Sequence, residues 1–91
     1  MVRIIARTDA NQAEIVDALR EVGAAVLHLH QVGKGCPDIL VSFRDTNYLM
    51  EIKTANGELT PDEINFFQTW RGPVCVVRNA EDALRTIGAI E

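Results

Sequence analysis

Asp38, Glu51 and Lys53 are the residues of this 91-residue sequence whose types and spacing could do chemistry together. Asp38 follows Pro37, and twelve residues separate it from Glu51, which precedes Lys53 with Ile52 between them. Two carboxylates and an ammonium on one surface form a site for a hard divalent cation, because Mg²⁺ prefers oxygen ligands and is commonly held by one or two carboxylates plus waters. Such a cation polarises a phosphoryl oxygen, generates hydroxide from water and steadies the leaving oxygen. A neighbouring lysine adds positive charge where the phosphoryl group accumulates negative charge, or positions the attacking water. Phosphodiester hydrolysis is the chemistry these parts could perform. An isolated Glu-x-Lys carries no such meaning, since an ordinary ion pair on a solvated strand reads the same way.

Whether the three residues meet depends on the elements around them. Ile39 to Phe43 and Tyr48 to Lys53 are β-rich runs separated by the polar Arg44-Asp45-Thr46-Asn47, which predicts an antiparallel hairpin. Pairing Phe43 with Tyr48 across a four-residue turn sets Asp38 opposite Lys53 and Leu40 opposite Glu51. Side chains alternate along a strand, so Asp38, Glu51 and Lys53 share one face. The other face collects Ile39, Val41, Phe43, Tyr48, Met50 and Ile52, an uncharged set that predicts core. A slip of one residue would bury the acids and expose the apolar set.

The remaining elements follow from local punctuation. Val2 to Arg7 is short and rich in β-branched residues, predicting an opening strand or extended arm, with Asp9 as cap of the next element. Ile15, Ala18, Leu19 and Val22 recur at helical spacing from Ala10 to Val22, and Gly23 ends that helix. Ala25 to Gln31 reads as a strand and Gly33-Lys34-Gly35 as a loop. After Asn56-Gly57, Thr60-Pro61-Asp62-Glu63 offers an N-cap threonine, a first-turn proline and a capping-box glutamate. The helix it opens carries Ile64, Phe67 and Trp70 on one stripe and ends before Gly72-Pro73. Val74 to Val77 is a short apolar strand, and Asn79 caps a last helix with Ala83, Leu84 and Ile87. The predicted order is α-β-β-β-α-β-α.

Bulk properties bound the rest. Apolar residues make up 47% and charged residues 24%, which excludes a disordered chain and suits one globular domain over residues 1–91. A domain this small gains from pairing with a second copy, so a homodimer is expected. No apolar run is long enough for a membrane helix and no signal-peptide pattern opens the chain, giving the expectation of a cytoplasmic protein. Cys36 and Cys75 are read as reduced thiols, too few for a disulfide framework and without zinc-ligand spacing. The net charge of −4 argues against a general DNA-binding surface, although a bound divalent metal inverts the charge locally.

The combination of Gly35-Cys36-Pro37-Asp38 with Glu51-Ile52-Lys53 resembles the signature of the PD-(D/E)xK nuclease superfamily. Within it the chain looks most like the virus-type replication-repair nuclease domain, VRR-NUC. Glu14 on the first helix, Gly57-Glu58-Leu59-Thr60-Pro61 leading to Phe67 and Trp70, and Val74-Cys75-Val76-Val77 followed by Arg78 and Asn79-Ala80-Glu81-Asp82 extend the likeness from about Glu14 to Leu84. The resemblance implies an α/β restriction-endonuclease-like core, a mixed central sheet flanked by helices. It further implies Mg²⁺ or Mn²⁺ held by Asp38, Glu51 and the backbone carbonyl of Ile52, with Lys53 as catalytic lysine. Glu14 would complete the metal site directly or through water. Glu63 stands where many relatives place glutamine, and its capping-box role explains it adequately.

Other residues carry weaker signals. His28 and His30 share a strand face but lack further ligands for a histidine metal site, so a surface or packing role is favoured. Gly33-Lys34-Gly35 is either a phosphate-approach loop or a mobile connection. Cys36 has no activating partner set and is discounted as a nucleophile. Phe66, Phe67, Trp70 and Tyr48 are assigned to core or interface, with Phe66 off the main stripe and available to a dimer contact. The expected function is a divalent-metal-dependent DNA nuclease, selective for DNA shape such as branched or four-way-junction DNA, acting as a homodimer and leaving a 5′ phosphate. The alternatives are a non-catalytic nucleic-acid or protein interaction module on the same scaffold, and a small structural protein with an accidental match.

Overall fold

The computed structural model describes the backbone of residues 2–91 and the side chains of residues 10–91. Its elements are α1 (Val2–Glu21), β1 (Ala25–His28), β2 (Ile39–Phe43), β3 (Thr46–Ile52), α2 (Pro61–Thr69), β4 (Val74–Val77) and α3 (Ala80–Thr86). The predicted α-β-β-β-α-β-α order is the observed one. The predicted strand or arm over Val2 to Arg7 is not: these residues form the opening turns of α1. Their β-branched content is a weak preference, and no glycine or proline separates them from the helix that follows. Asp9 consequently lies inside α1 and does not start it, while the contacts of its side chain fall outside the described residues.

Gly23 ends α1 as predicted. It adopts φ +95, a conformation that a Cβ disfavours. Its N–H donates to the Arg20 carbonyl and the Ala24 N–H to the Leu19 carbonyl, both at 3.0 Å, the paired bonds of a Schellman cap. Strand β1 stops at His28, short of the expected Gln31, because the chain turns back with the Val32 N–H on the Leu29 carbonyl.

The strands form one mixed sheet in the order β1-β2-β3-β4, antiparallel from β1 to β3 and parallel between β3 and β4. The hairpin register corrects the predicted one. Phe43 pairs with Thr46, not Tyr48, and Ile39 with Met50, so the turn holds only Arg44 and Asp45. Both take positive φ, 52 and 68, as a two-residue hairpin turn whose twist matches its strands requires. No glycine advertises that turn. The shift is two residues, an even number, so every side chain keeps its predicted face.

The core lies between one sheet face and the two helices α1 and α3. Ile39, Val41, Met50, Ile52 and Val77 from the sheet meet Ile15, Val16 and Leu19 of α1, Ala83 of α3 and the adjoining Ile87. Phe43 and Tyr48 pack at its margin. Helix α2 contributes nothing to this core and has no buried residue. The predicted stripe is therefore largely solvent-facing, with Ile64 43% and Trp70 48% exposed. Among the described residues, no helix is long and apolar enough to cross a membrane.

What holds α2 is its first turn. Thr60 Oγ1 accepts from the Glu63 N–H at 3.2 Å, and Glu63 Oε1 accepts from the Thr60 N–H at 2.9 Å, the complete predicted capping box. Gly35, at φ +78, lies so close that a Cβ there would collide with the Asp62 carbonyl and the Glu63 nitrogen. The loop before Asp38 is thereby seated on the start of α2. Gly35→Ala is expected to cost about 1–3 kcal/mol, combining a positive φ with a backbone collision. A lowered melting temperature in thermal denaturation checks this; an unchanged one would show that the loop does not rest on α2.

Candidate active site

Pro37 and Asp38 sit just before β2. The Asp38 backbone continues the sheet on both sides, its N–H donating to the Met50 carbonyl at 3.0 Å and its carbonyl accepting from the Leu29 N–H at 2.8 Å. Its side chain turns to β3, where Oδ2 accepts from the Ile52 N–H at 2.8 Å. A carboxylate oxygen thus replaces a ladder carbonyl at the strand end, leaving Oδ1 as a further acceptor. This bond fixes Asp38 beside the strand that carries Glu51 and ends just before Lys53.

Glu51 points to the sheet face opposite the core and is nevertheless only 3% exposed. Its Oε2 lies 3.5 Å from Lys53 Nζ. Its Oε1 is buried with no hydrogen-bond partner. Burial, the negative charges of Asp38 and Glu63, and a hydrogen bond with Glu63 push its pKa up to about 8, against the opposing pull of Lys53. Glu51 therefore holds a proton at neutral pH unless a cation takes its place.

Lys53 is also held by Glu63, whose Oε1 lies 2.9 Å from Nζ. Burial works against the lysine's charge, but the hydrogen bond and charge of Glu63 and the charge of Glu51 outweigh it and raise the pKa. Burial likewise disfavours the Glu63 carboxylate, yet bonds from Lys53 and the Thr60 N–H win and lower its pKa. Lys53 is thus a fixed cation and Glu63 a fixed anion. Cys36 lies next to this charge: burial, Glu51 and Asp38 all raise its thiol pKa. A suppressed thiolate is the opposite of what an activated nucleophile needs.

Arg78, just after β4, shapes the segment that follows Lys53. One guanidinium nitrogen donates to the carbonyls of Thr54 at 2.6 Å, Gly57 at 2.8 Å and Ala55 at 3.3 Å. The Lys53 N–H meanwhile donates to the Val77 carbonyl. These contacts close the turn leading to α2.

The structure brings Asp38, Glu51, Ile52 and Lys53 together. Glu14 is exposed on α1, whose Ile15, Val16 and Leu19 pack into the core. Among the described residues, no three His, Cys, Asp or Glu side chains cluster as a metal cage. His28 and His30 sit elsewhere, in a cavity of about 590 Å³ lined also by Gln12, Val16, Asp17 and Arg20. There Gln12 Nε2 and His28 Nδ1 are 3.0 Å apart. Sequence reasoning missed the place of Glu63 beside Lys53 and the role of Arg78. The capping-box position marked Glu63 locally, but nothing in the sequence marked its second partner.

No protein-family model matches the sequence, and no curated protein matches it. A solved structure described as a VRR_NUC domain is similar in fold, with a TM-score of 0.75 at 21% sequence identity, covering 92% of this chain and 97% of that one. Agreement over nearly the full length of both chains, with few shared residues, means that element order and sheet topology carry the likeness. With its mixed four-stranded sheet and its α-β-β-β-α-β-α order, the chain has the fold of a VRR_NUC domain.

Proposed function

We propose that this protein is a divalent-metal-dependent DNA nuclease whose active centre is Asp38, Glu51 and Lys53. The observation that carries the reading is the orphaned Glu51 Oε1, a buried carboxylate oxygen without a partner beside a second carboxylate. A buried polar atom of this kind is costly unless something satisfies it. The donor set suits a hard cation: Asp38, Glu51 and the Ile52 carbonyl offer oxygen alone, and two carboxylates suffice for Mg²⁺ or Mn²⁺ that keeps waters. When bound, the cation supplies Lewis acidity and lowers the pKa of water.

The chain's own residues do the rest. Asp38 is oriented by the Ile52 N–H, so one ligand is preset on a rigid strand end. Lys53 presents a permanent ammonium to the phosphoryl oxygens as negative charge gathers there. Hydrolysis forms a bond from a water oxygen to phosphorus and breaks the bond to the 3′ oxygen, with one proton of the attacking water passing to solvent and the leaving 3′ oxygen taking one up from solvent. The products are a 5′ phosphate and a 3′ hydroxyl. Glu14, exposed on α1, completes the metal site directly or through water, and Glu14→Gln should slow cleavage less than changes at Asp38.

The reading includes selectivity for branched or four-way-junction DNA by a homodimer presenting two active centres. Exposed apolar surface at Ile64 and Trp70 of α2 and at Leu27 of β1 supports pairing. The test is incubation with labelled linear, single-stranded, flapped and four-way-junction DNA, with and without Mg²⁺ or Mn²⁺, alongside Lys53→Ala and Asp38→Ala. Metal-dependent cutting lost in both variants supports the nuclease. Equal products from all three proteins would expose a contaminant, and binding without cutting would favour the interaction module.

A further inference from the structure

We propose that Glu63 is a positioning residue for Lys53, sharing its ammonium with Glu51 and so fixing where that ammonium meets the phosphate. The proposal rests on the nuclease reading for its consequence in catalysis, but not for its geometry. Lys53 Nζ is 2.9 Å from Glu63 Oε1 and 3.5 Å from Glu51 Oε2, so the lysine pairs with both carboxylates and lies closer to the first. The same Glu63 oxygen accepts the Thr60 N–H at 2.9 Å. The carboxylate is therefore anchored independently of the lysine it holds.

Its backbone is anchored as well, because Gly35 abuts Asp62 and Glu63 without room for a Cβ. The loop leading to Asp38, the first turn of α2 and the lysine just after β3 form one mechanical unit through this residue. A lysine ammonium on a flexible four-carbon stem gains most from such a tether, which settles its rotamers before substrate arrives. Without the Glu63 charge, the nearest anion to Lys53 is Glu51. Pairing with Glu51 alone, tighter than the present 3.5 Å contact, would compete with the cation and withdraw the ammonium from the phosphate.

Glu63→Gln separates this role from capping, since glutamine also completes a capping box. Its kcat is expected to fall about tenfold to a hundredfold, as for a misplaced catalytic group, with KM for DNA little changed. Metal binding gives a readout apart from turnover. In calorimetric titration with Mn²⁺, Glu63→Gln should weaken binding several fold, whereas the same change in a Lys53→Met background should weaken it far less. Equal weakening in both backgrounds would overturn the proposal, because Glu63 would then act through its charge alone. Thermal melting of the metal-free proteins forms a second cycle: the losses from Glu63→Gln and Lys53→Met should be non-additive, and additive losses would also overturn it. A wild-type protein that cuts no DNA would sink the nuclease reading while leaving this thermal cycle to decide the positioning role.

Discussion

Asp38→Asn is expected to slow metal-dependent DNA cleavage by about a thousandfold, in line with removal of a charge-stabilising group from an active centre. The same change should abolish the rise in melting temperature that Mg²⁺ or Mn²⁺ confers on the wild-type protein. Asparagine suits the test because its amide oxygen can still accept the Ile52 N–H that Asp38 Oδ2 accepts at 2.8 Å. Strand ends and shape stay in place while the charge disappears. The metal-free variant should melt no lower than wild type, since Asp38 raises the Glu51 pKa by repulsion and the substitution relieves it. Cleavage at the wild-type rate would remove Asp38 from the active centre. A large loss of metal-free stability would instead make its role architectural.

Glu51→Gln should have opposite effects on stability and function. The Glu51 pKa is about 8 in the folded protein, raised from an ordinary value of 4.5. Between those values the folded state binds more protons than the unfolded one, so stability falls as pH rises through that window and levels off above it. Below the window both states are protonated and nothing is lost. The full shift corresponds to a few kcal/mol as an order of magnitude. Glutamine resembles the protonated side chain, so the variant should outlast metal-free wild type in thermal melts at pH 8 to 9 and show little of the decline. It should also lose metal binding and cleavage. Wild-type melting that is flat from pH 5 to pH 8 would show that Glu51 ionises without penalty, and would remove the physical basis for its orphaned oxygen attracting a cation. In wild type, Mn²⁺ should tighten its binding as pH rises toward 8, because the cation must displace the Glu51 proton.

The capping box of α2 was fully legible in the sequence, as was the Asn79 cap of α3, because partners within three residues meet by helix geometry alone. The stop at Gly23 was legible for the same reason. Alternation along β2 and β3 placed Asp38, Glu51 and Lys53 on one face and the apolar set on the other. That assignment survived a wrong register, since pairing Phe43 with Thr46 shifts the ladder by two positions and preserves parity. The register itself was hidden, because Arg44 and Asp45 adopt positive φ without the glycine that usually announces such a turn.

What lay beyond the sequence depends on how separate elements dock. The stripe of Ile64, Phe67 and Trp70 was visible, but periodicity says only that a helix has an apolar side; it does not say whether the chain covers it. The opening residues Val2 to Arg7 carry local preferences too weak to resist continuation of α1. Lys53 and Glu63 belong to different elements, and their 2.9 Å contact exists because the first turn of α2 is seated against Gly35. Helix α1 packs on the core side of the sheet while Glu51 faces the other. Residue type, alternation and caps determined the elements and which acids share a face, because those depend on neighbours along the chain. The partner of Lys53 and the orphaned oxygen of Glu51 were decided by tertiary docking, because interactions a few ångströms long depend on where whole elements come to rest.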